Sequence, residues 1–132
     1  MDKKLLSGDE AVALAALHHG VGLGTGYPGT PSTEILENFS GLGGRAQWAP
    51  NEKVALEVGI GAAFAGARVL VTMKHVGVNV AADPLFTAAY TGVSGALDTS
   101  AKSSTGEARR TRISSKSLPT VGKDVPISYL LT

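Results

Sequence analysis

The segment that most narrows the fold is Arg68-Val69-Leu70-Val71-Thr72-Met73. It is a short apolar run with no polar alternation. It therefore reads as a buried strand of a parallel sheet. A strand of that kind needs helices packed over the sheet. The stretch before it, Glu52 to about Ala67, supplies one, with Asn51 as its cap. That helix is dense in small residues: Ala55, Gly59, Gly61, Ala62, Ala63, Ala65 and Gly66. Glycine inside a helix costs up to about 1 kcal/mol. So many imply that another backbone, a ligand or the sheet itself lies very close. The chain is rich in Ala, Gly and Val, and only 5% aromatic. That suits close helix-on-sheet packing better than an all-β sandwich.

The remaining elements fall into an alternating order. Ser7-Gly8-Asp9-Glu10 is a capping box that opens a helix ending at Gly20. Val21 to Thr25 is a short strand. A helix through Ile35, Leu36 and Phe39 stops at Gly41, and Gln47-Trp48-Ala49 is a further short strand. Asn79 begins a helical stretch that Asp83-Pro84 restarts as N-cap and first residue, running to Gly92. The expected fold class is α/β, a parallel sheet flanked by helices with right-handed crossovers.

Several classes of chemistry are excluded or disfavoured. There is no cysteine, so disulfides, thiolate zinc sites and cysteine-ligated iron–sulfur clusters are not possible in this chain. Of the three histidines, His18 and His19 are adjacent on a helix and point apart, so no metal site is expected. The start of the chain lacks the apolar core of a secretory signal. Val54 to Met73 is the nearest thing to a membrane span, but it contains Glu57, Arg68 and glycines, and reads as helix then strand. We expect no membrane association and a cytoplasmic location. From Thr99 onward the chain is rich in Ser, Thr and scattered bases, with apolar residues returning only at Ile127 to Leu131. The expected division is 1–98 as a folded domain and 99–132 as a disordered tail. Basic residues without interleaved aromatics give no case for nucleic-acid binding.

The richest local signal is Gly26-Tyr27-Pro28-Gly29-Thr30-Pro31-Ser32-Thr33-Glu34. The glycines let a ligand sit against the main chain, and Pro28 stiffens the turn. Thr30 is a good N-cap and Pro31 suits the first helical position, so the turn would offer free N–H groups at a positive dipole end. A second signal is the loop Lys74-His75-Val76-Gly77, which follows the buried strand. Loops at the carboxyl ends of strands are where open α/β sheets hold ligands.

These blocks together resemble the N-terminal domain of the α subunit of indolepyruvate:ferredoxin oxidoreductase, a thiamine-diphosphate enzyme. The resemblance runs from about Leu5 to Leu97. It rests on Leu5-Leu6-Ser7-Gly8, on Thr25 through Glu34, on Asn51 through Glu57, on Ala65-Gly66-Ala67-Arg68, and on Thr72 through Pro84. It implies oxidative decarboxylation of an aryl 2-oxoacid, with coenzyme A accepting the acyl group and ferredoxin the electrons. It also implies a domain that grips the cofactor's aminopyrimidine through a glutamic acid. Glu52 best matches that catalytic position, and Glu57 is the reserve. A carboxyl in a dry apolar site has its pKa raised and remains a proton donor near neutrality. The resemblance makes Gly26, Tyr27, Pro28, Gly29, Thr30, Glu52, Lys74 and His75 the expected cofactor-binding set, with Thr30 touching substrate or cofactor and Lys74 and His75 lining the pocket.

The chain departs from that pattern in two ways. The family's second thiamine domain holds Mg²⁺ and diphosphate, and its cysteine-rich domain carries iron–sulfur clusters; neither motif occurs here. The expected reading is therefore a fragment, inactive alone, whose partners are a complementary thiamine domain, a β subunit and ferredoxin. Second, Ala108-Arg109-Arg110-Thr111-Arg112-Ile113 replaces the family's continuation. Codons for Ser-Gln-Asn-Glu-Asp read one nucleotide late can spell Arg-Arg-Thr-Arg-Ile, so the expected origin of the tail is a frameshift after about residue 97. Two alternatives stand beside this reading. Gly24-Thr25-Gly26-Tyr27-Pro28-Gly29 fits G-x-G-x-x-G, a dinucleotide-binding signature. Against it, a helix leads into the motif more clearly than a strand does, Pro28 interrupts it, and no acid closes a following strand. The other alternative is a non-catalytic fragment that binds a partner subunit.

Overall fold

The computed structural model describes residues 5–103 and 108–114. Ten elements follow in order: α1 (Gly8–His18), β1 (Leu23–Gly26), α2 (Thr33–Gly41), β2 (Ala46–Trp48), α3 (Glu52–Phe64), β3 (Arg68–Lys74), α4 (Gly77–Val80), α5 (Ala82–Thr91), β4 (Ala96–Lys102) and β5 (Ala108–Ser114). The strands form one sheet in the order β2-β1-β3-β4-β5. The first four are parallel, and β5 runs antiparallel to β4. The expected α/β class is correct: a four-stranded parallel sheet flanked by helices, extended by one antiparallel edge strand.

The pleat sends alternate β3 side chains to opposite faces. Val69, Val71 and Met73 share a buried cluster with Ala55, Leu56 and Ala63 of α3, Ala88 of α5, and Leu97 and Ala101 of β4. On the other face Leu36 and Phe39 of α2 pack with Ala13 of α1. The Ser7 capping box forms in both directions: the Ser7 amide donates to Glu10 Oε2 at 2.7 Å, and the Glu10 amide to Ser7 Oγ at 3.2 Å. Asn51 caps α3, its Oδ1 accepting the Val54 amide at 2.9 Å. Deep in the fold, the Thr25 hydroxyl donates to the Ala55 carbonyl at 2.8 Å and ties β1 to α3. Among the described residues no helix is long and apolar enough to cross a membrane.

Three expectations need correction. Residues 99–102 and 108–114 are not disordered: they complete β4 and form β5. Thr99 and Ser100 hide an ordinary inner strand because Val71 and Thr72 pair beside them and satisfy its backbone. Residues 115–132, with Ile127 to Leu131, lie outside the described residues. Asp83 is not an N-cap; α5 begins at Ala82, after Ala81. Asp83 sits in its first turn and accepts an ion pair from Lys53 at 2.9 Å, and Pro84 falls where no helical N–H is needed. Finally, β1 leads directly into the glycine motif, so the objection that no clear strand precedes it does not hold.

Two ion pairs contrast in environment. Lys53–Asp83 lies at the surface, with the side chains 44% and 74% exposed. The hydrogen bond to Asp83, then its charge, raises the Lys53 pKa above the ordinary 10.5. A raised pKa means that this contribution is present below pH 10.5 and is lost as pH rises through the folded value. Lys102–Asp9, at 2.6 Å, is mostly out of water and pins the start of α1 to the end of β4. Lys102→Met leaves the Asp9 carboxylate enclosed and alone, and is expected to cost about 1–3 kcal/mol. Lys53→Met is expected to leave the melting temperature unchanged near neutrality, since exposed pairs contribute little. Thermal denaturation of the two variants checks the contrast.

Candidate functional site

The strand order reverses direction at β1. From it the chain steps outward to β2, then returns past it to β3. Such a switch point opens a crevice at the carboxyl ends of the two inner strands. Here those ends deliver Gly26-Tyr27 from β1 and Lys74-His75 from β3. Contact leaves no room for a side chain at Gly26 and little at Gly29. A Cβ on Gly26 would stand 2.6 Å from Thr72 Oγ1, and one on Gly29 would stand 3.2 Å from Lys74 Cβ. The turn therefore lies directly on the end of β3.

The turn is closed on itself rather than open. The Ser32 hydroxyl and amide both donate to the Gly29 carbonyl, at 2.7 and 2.9 Å. The Gly29 amide donates to Thr33 Oγ1 at 2.7 Å. The Thr30–Pro31 peptide is cis. Thr30 is not the N-cap and Pro31 is not the first helical residue. Helix α2 begins at Thr33 after Ser32, whose side chain is committed to Gly29. The Gly29 N–H, expected to be free for a ligand, is spent on Thr33.

Glu52 opens α3 at the same end of the sheet, half-buried. Its carboxylate rests against Gly77, where an added Cβ would meet Oε1 at 2.5 Å and Cγ at 2.6 Å. Gly77 closes the loop that Lys74 begins. The β3–α4 loop thus has Glu52 on one flank and the Gly29 turn on the other. Tyr27, Pro28, Thr30 and His75 line this end with exposed side chains, and Lys74 is half-buried. The His75 amide is used to extend the sheet, donating to the Lys102 carbonyl at 3.0 Å. Glu57 is exposed; it stands 500° of helical turn from Glu52 less one full circle, or roughly 140° around α3.

Three residues that the sequence reading named without a role in the site belong to this end. Thr72 is 1% exposed, and its Oγ1 has no hydrogen-bond partner. A lone hydroxyl inside an otherwise apolar strand was the visible signal. Gly77 matters through its missing side chain. Glu34, in the first turn of α2, has one buried carboxylate oxygen, Oε2, without a partner. Exposed Tyr27, Trp48 and Val76 add an apolar rim, 39%, 42% and 58% accessible. Among the described residues no group of three His, Asp or Glu side chains could hold a metal ion. A half-buried carboxyl such as that of Glu52 suits a hydrogen bond to a ring nitrogen.

The glycines of the dinucleotide signature are occupied by packing. A Cβ on Gly24 would meet Leu36 Cδ1 at 2.7 Å, and Gly26 abuts Thr72. No protein-family model matches the chain. It is 49% identical over 102 residues to the indolepyruvate oxidoreductase subunit IorA of Archaeoglobus fulgidus, covering 71% of this chain and 16% of that protein. The IorA subunit of Methanothermobacter thermautotrophicus is 51% identical over 96 residues, covering 70% and 16%. The chain therefore spans about one-sixth of the length of these relatives. Among solved structures, a 2-oxoglutarate:ferredoxin oxidoreductase from Magnetococcus marinus superposes with a TM-score of 0.68 at 23% identity, over 76% of this chain and 19% of that one.

Proposed function

We propose, for a chain related over about 70% of its length to the IorA subunits of indolepyruvate oxidoreductase, that it supplies the aminopyrimidine-gripping half of a thiamine-diphosphate site. The observation that carries this reading is the Glu52 carboxyl, set against Gly77 at the switch-point end of the sheet. Thiamine diphosphate, when bound, supplies the electron sink for decarboxylation of a 2-oxoacid. In this reading the Glu52 carboxyl hydrogen-bonds a ring nitrogen of the cofactor and holds or yields the proton there. Gly26 and Gly29 seat the turn on Thr72 and Lys74 at the end of β3, which fixes the wall beside the ring. Lys74 and His75 face the substrate side of the crevice, Lys74 contributing a cation toward a carboxylate. Tyr27, Pro28 and Thr30 shape the wall.

The whole reaction needs more than this chain. Mg²⁺ and the diphosphate fall to a complementary domain, and ferredoxin, coenzyme A and a β subunit complete the oxidation of an aryl 2-oxoacid. The half-buried state of Glu52 and the apolar rim of Tyr27, Trp48 and Val76 support a covering partner that excludes water. Alone, the chain is a fragment without turnover. Its family-like part ends near residue 98, in line with the matched share of about seven-tenths.

Calorimetric titration tests this. Thiamine diphosphate with Mg²⁺ is expected to bind when the chain is mixed with the remaining domains of an IorA relative, and to bind far more weakly to the chain alone. NAD(H) is expected to give no heat in either case. Equal binding of NAD(H), or none of thiamine diphosphate in the mixture, overturns the reading.

A further inference from the structure

Glu52 is held in place from both of its flanks. Three residues before it, the Ala49 amide donates to the Gly26 carbonyl at 2.9 Å. Three residues after it, the Ala55 carbonyl accepts the Thr25 hydroxyl at 2.8 Å. Two consecutive residues of β1 therefore grip the chain on either side of the carboxyl. The first bond is backbone to backbone, at the end of the β1–β2 pairing. The second depends on one side chain, which is 1% exposed. Ala55 lies inside α3, so its carbonyl also has a place in the helix's own ladder. The Thr25 bond is thus not needed to build the helix. It sets the height of the first turn of α3 over the end of β1.

That turn of α3 carries Glu52, and β1 carries the Gly26–Gly29 turn on the facing wall of the crevice. A hydroxyl can stand 2.8 Å from the Ala55 oxygen, whereas a methyl carbon stops at about 3.3 Å. Replacing the hydroxyl by a methyl therefore drives the helix start outward by roughly 0.5 Å. A displacement of about 1 Å at a reacting group can cost about 10²-fold in rate. We propose that Thr25 is the positioning residue for Glu52. Its hydroxyl keeps the carboxyl against Gly77 and at a fixed distance from the glycine turn. This rests on the reading of Glu52 as the group that meets the cofactor, and Thr25, being enclosed, acts only through Glu52.

Thr25→Val keeps the branched shape and loses the donor. In the full chain it is expected to weaken the nuclear Overhauser contact between the Glu52 γ and Gly77 α protons. Its melting temperature is expected to fall by about 4–8 °C, the worth of one neutral hydrogen bond. In the assembly with the remaining domains and partner subunit of an IorA relative, it is expected to lower kcat about ten-fold with KM for the oxoacid unchanged. Thr25→Ser keeps the donor and is expected to restore both the contact and kcat. Val93→Ala, in the core ahead of β4 and away from the crevice, is expected to lose as much melting temperature with kcat unchanged. Added to Glu52→Gln, Thr25→Val is expected to slow turnover no further, since both act through one carboxyl. A Thr25→Val chain that keeps the Glu52–Gly77 contact overturns the inference, as does full kcat beside an impaired Glu52→Gln assembly. A fully active Glu52→Gln assembly overturns instead the reading of Glu52, so that variant tells the two failures apart.

Discussion

Glu52→Gln, in this chain reassembled with the remaining domains and the partner subunit of an IorA relative, is expected to lower turnover of an aryl 2-oxoacid by about 10²–10⁴-fold, the usual worth of a positioned acid or base. The amide keeps the size and one hydrogen bond but cannot exchange the proton. Thermal stability should not change, because Glu52 is half-buried and its neighbour is a glycine. Gly77→Ala is the companion change. Its methyl would collide with the Glu52 side chain from Cγ outward rather than with backbone, so the whole side chain must take another rotamer and the carboxyl is displaced. Rates with a dye electron acceptor, compared with melting curves, separate the two effects. A Glu52→Gln assembly that turns over normally removes Glu52 from the chemistry.

Gly95→Ala is expected to be the most damaging single methyl in the chain. The added Cβ would meet the Ala67 carbonyl oxygen inside van der Waals contact and the Gly66 carbonyl carbon at 2.7 Å. Both are backbone atoms of the turn between α3 and β3. They cannot swing away, because the Gly95 amide already donates to the Ala63 carbonyl at 2.8 Å and the Ala96 amide to Ala67 at 3.1 Å. The start of β4 is stapled to that turn. Overpacking commonly costs 1–3 kcal/mol and here should reach about 3 or more. For a domain of this size that is a drop of more than about 10 °C in melting temperature. Gly61→Ala is the opposite case. Nothing lies within 4 Å of its Cβ position, and alanine in an exposed helix interior is expected to raise stability by up to about 1 kcal/mol. Unfolding of both proteins by heat or urea checks the pair.

That contrast marks how far the sequence could be read. Its alternating pattern, the buried run at Val69 to Met73 and the caps at Ser7 and Asn51 were all local signals, and the elements they predicted are present. The glycine-rich α3 was only half legible. Gly59 does press on the sheet, 2.7 Å from Val71 Cγ2 at its Cβ position, while Gly61 faces open space. Composition counts both alike; only the helix's orientation distinguishes them. At the turn, Thr30 and Pro31 looked like a helix start because the sequence cannot show that Ser32 and Thr33 fold back on Gly29. Strand β4 was missed altogether because an inner strand with Thr99 and Ser100 draws its order from its neighbours, not from its own hydrophobicity. Placement of Glu52 and Lys74 at one end of the sheet followed from the alternating order, whereas the contact of Glu52 with Gly77 required coordinates.

The ion pair between Asp9 and Lys102 joins residues 93 positions apart. During synthesis, the first helix leaves the ribosome long before its anchor exists. Until the fourth strand has been made and laid beside the third, the start of α1 lacks its ion pair and rests on α2, so its amides should be among the last to gain protection from hydrogen exchange. A nascent chain halted before residue 102 would carry that helix untethered, its alanine-lined flank bare to chaperones.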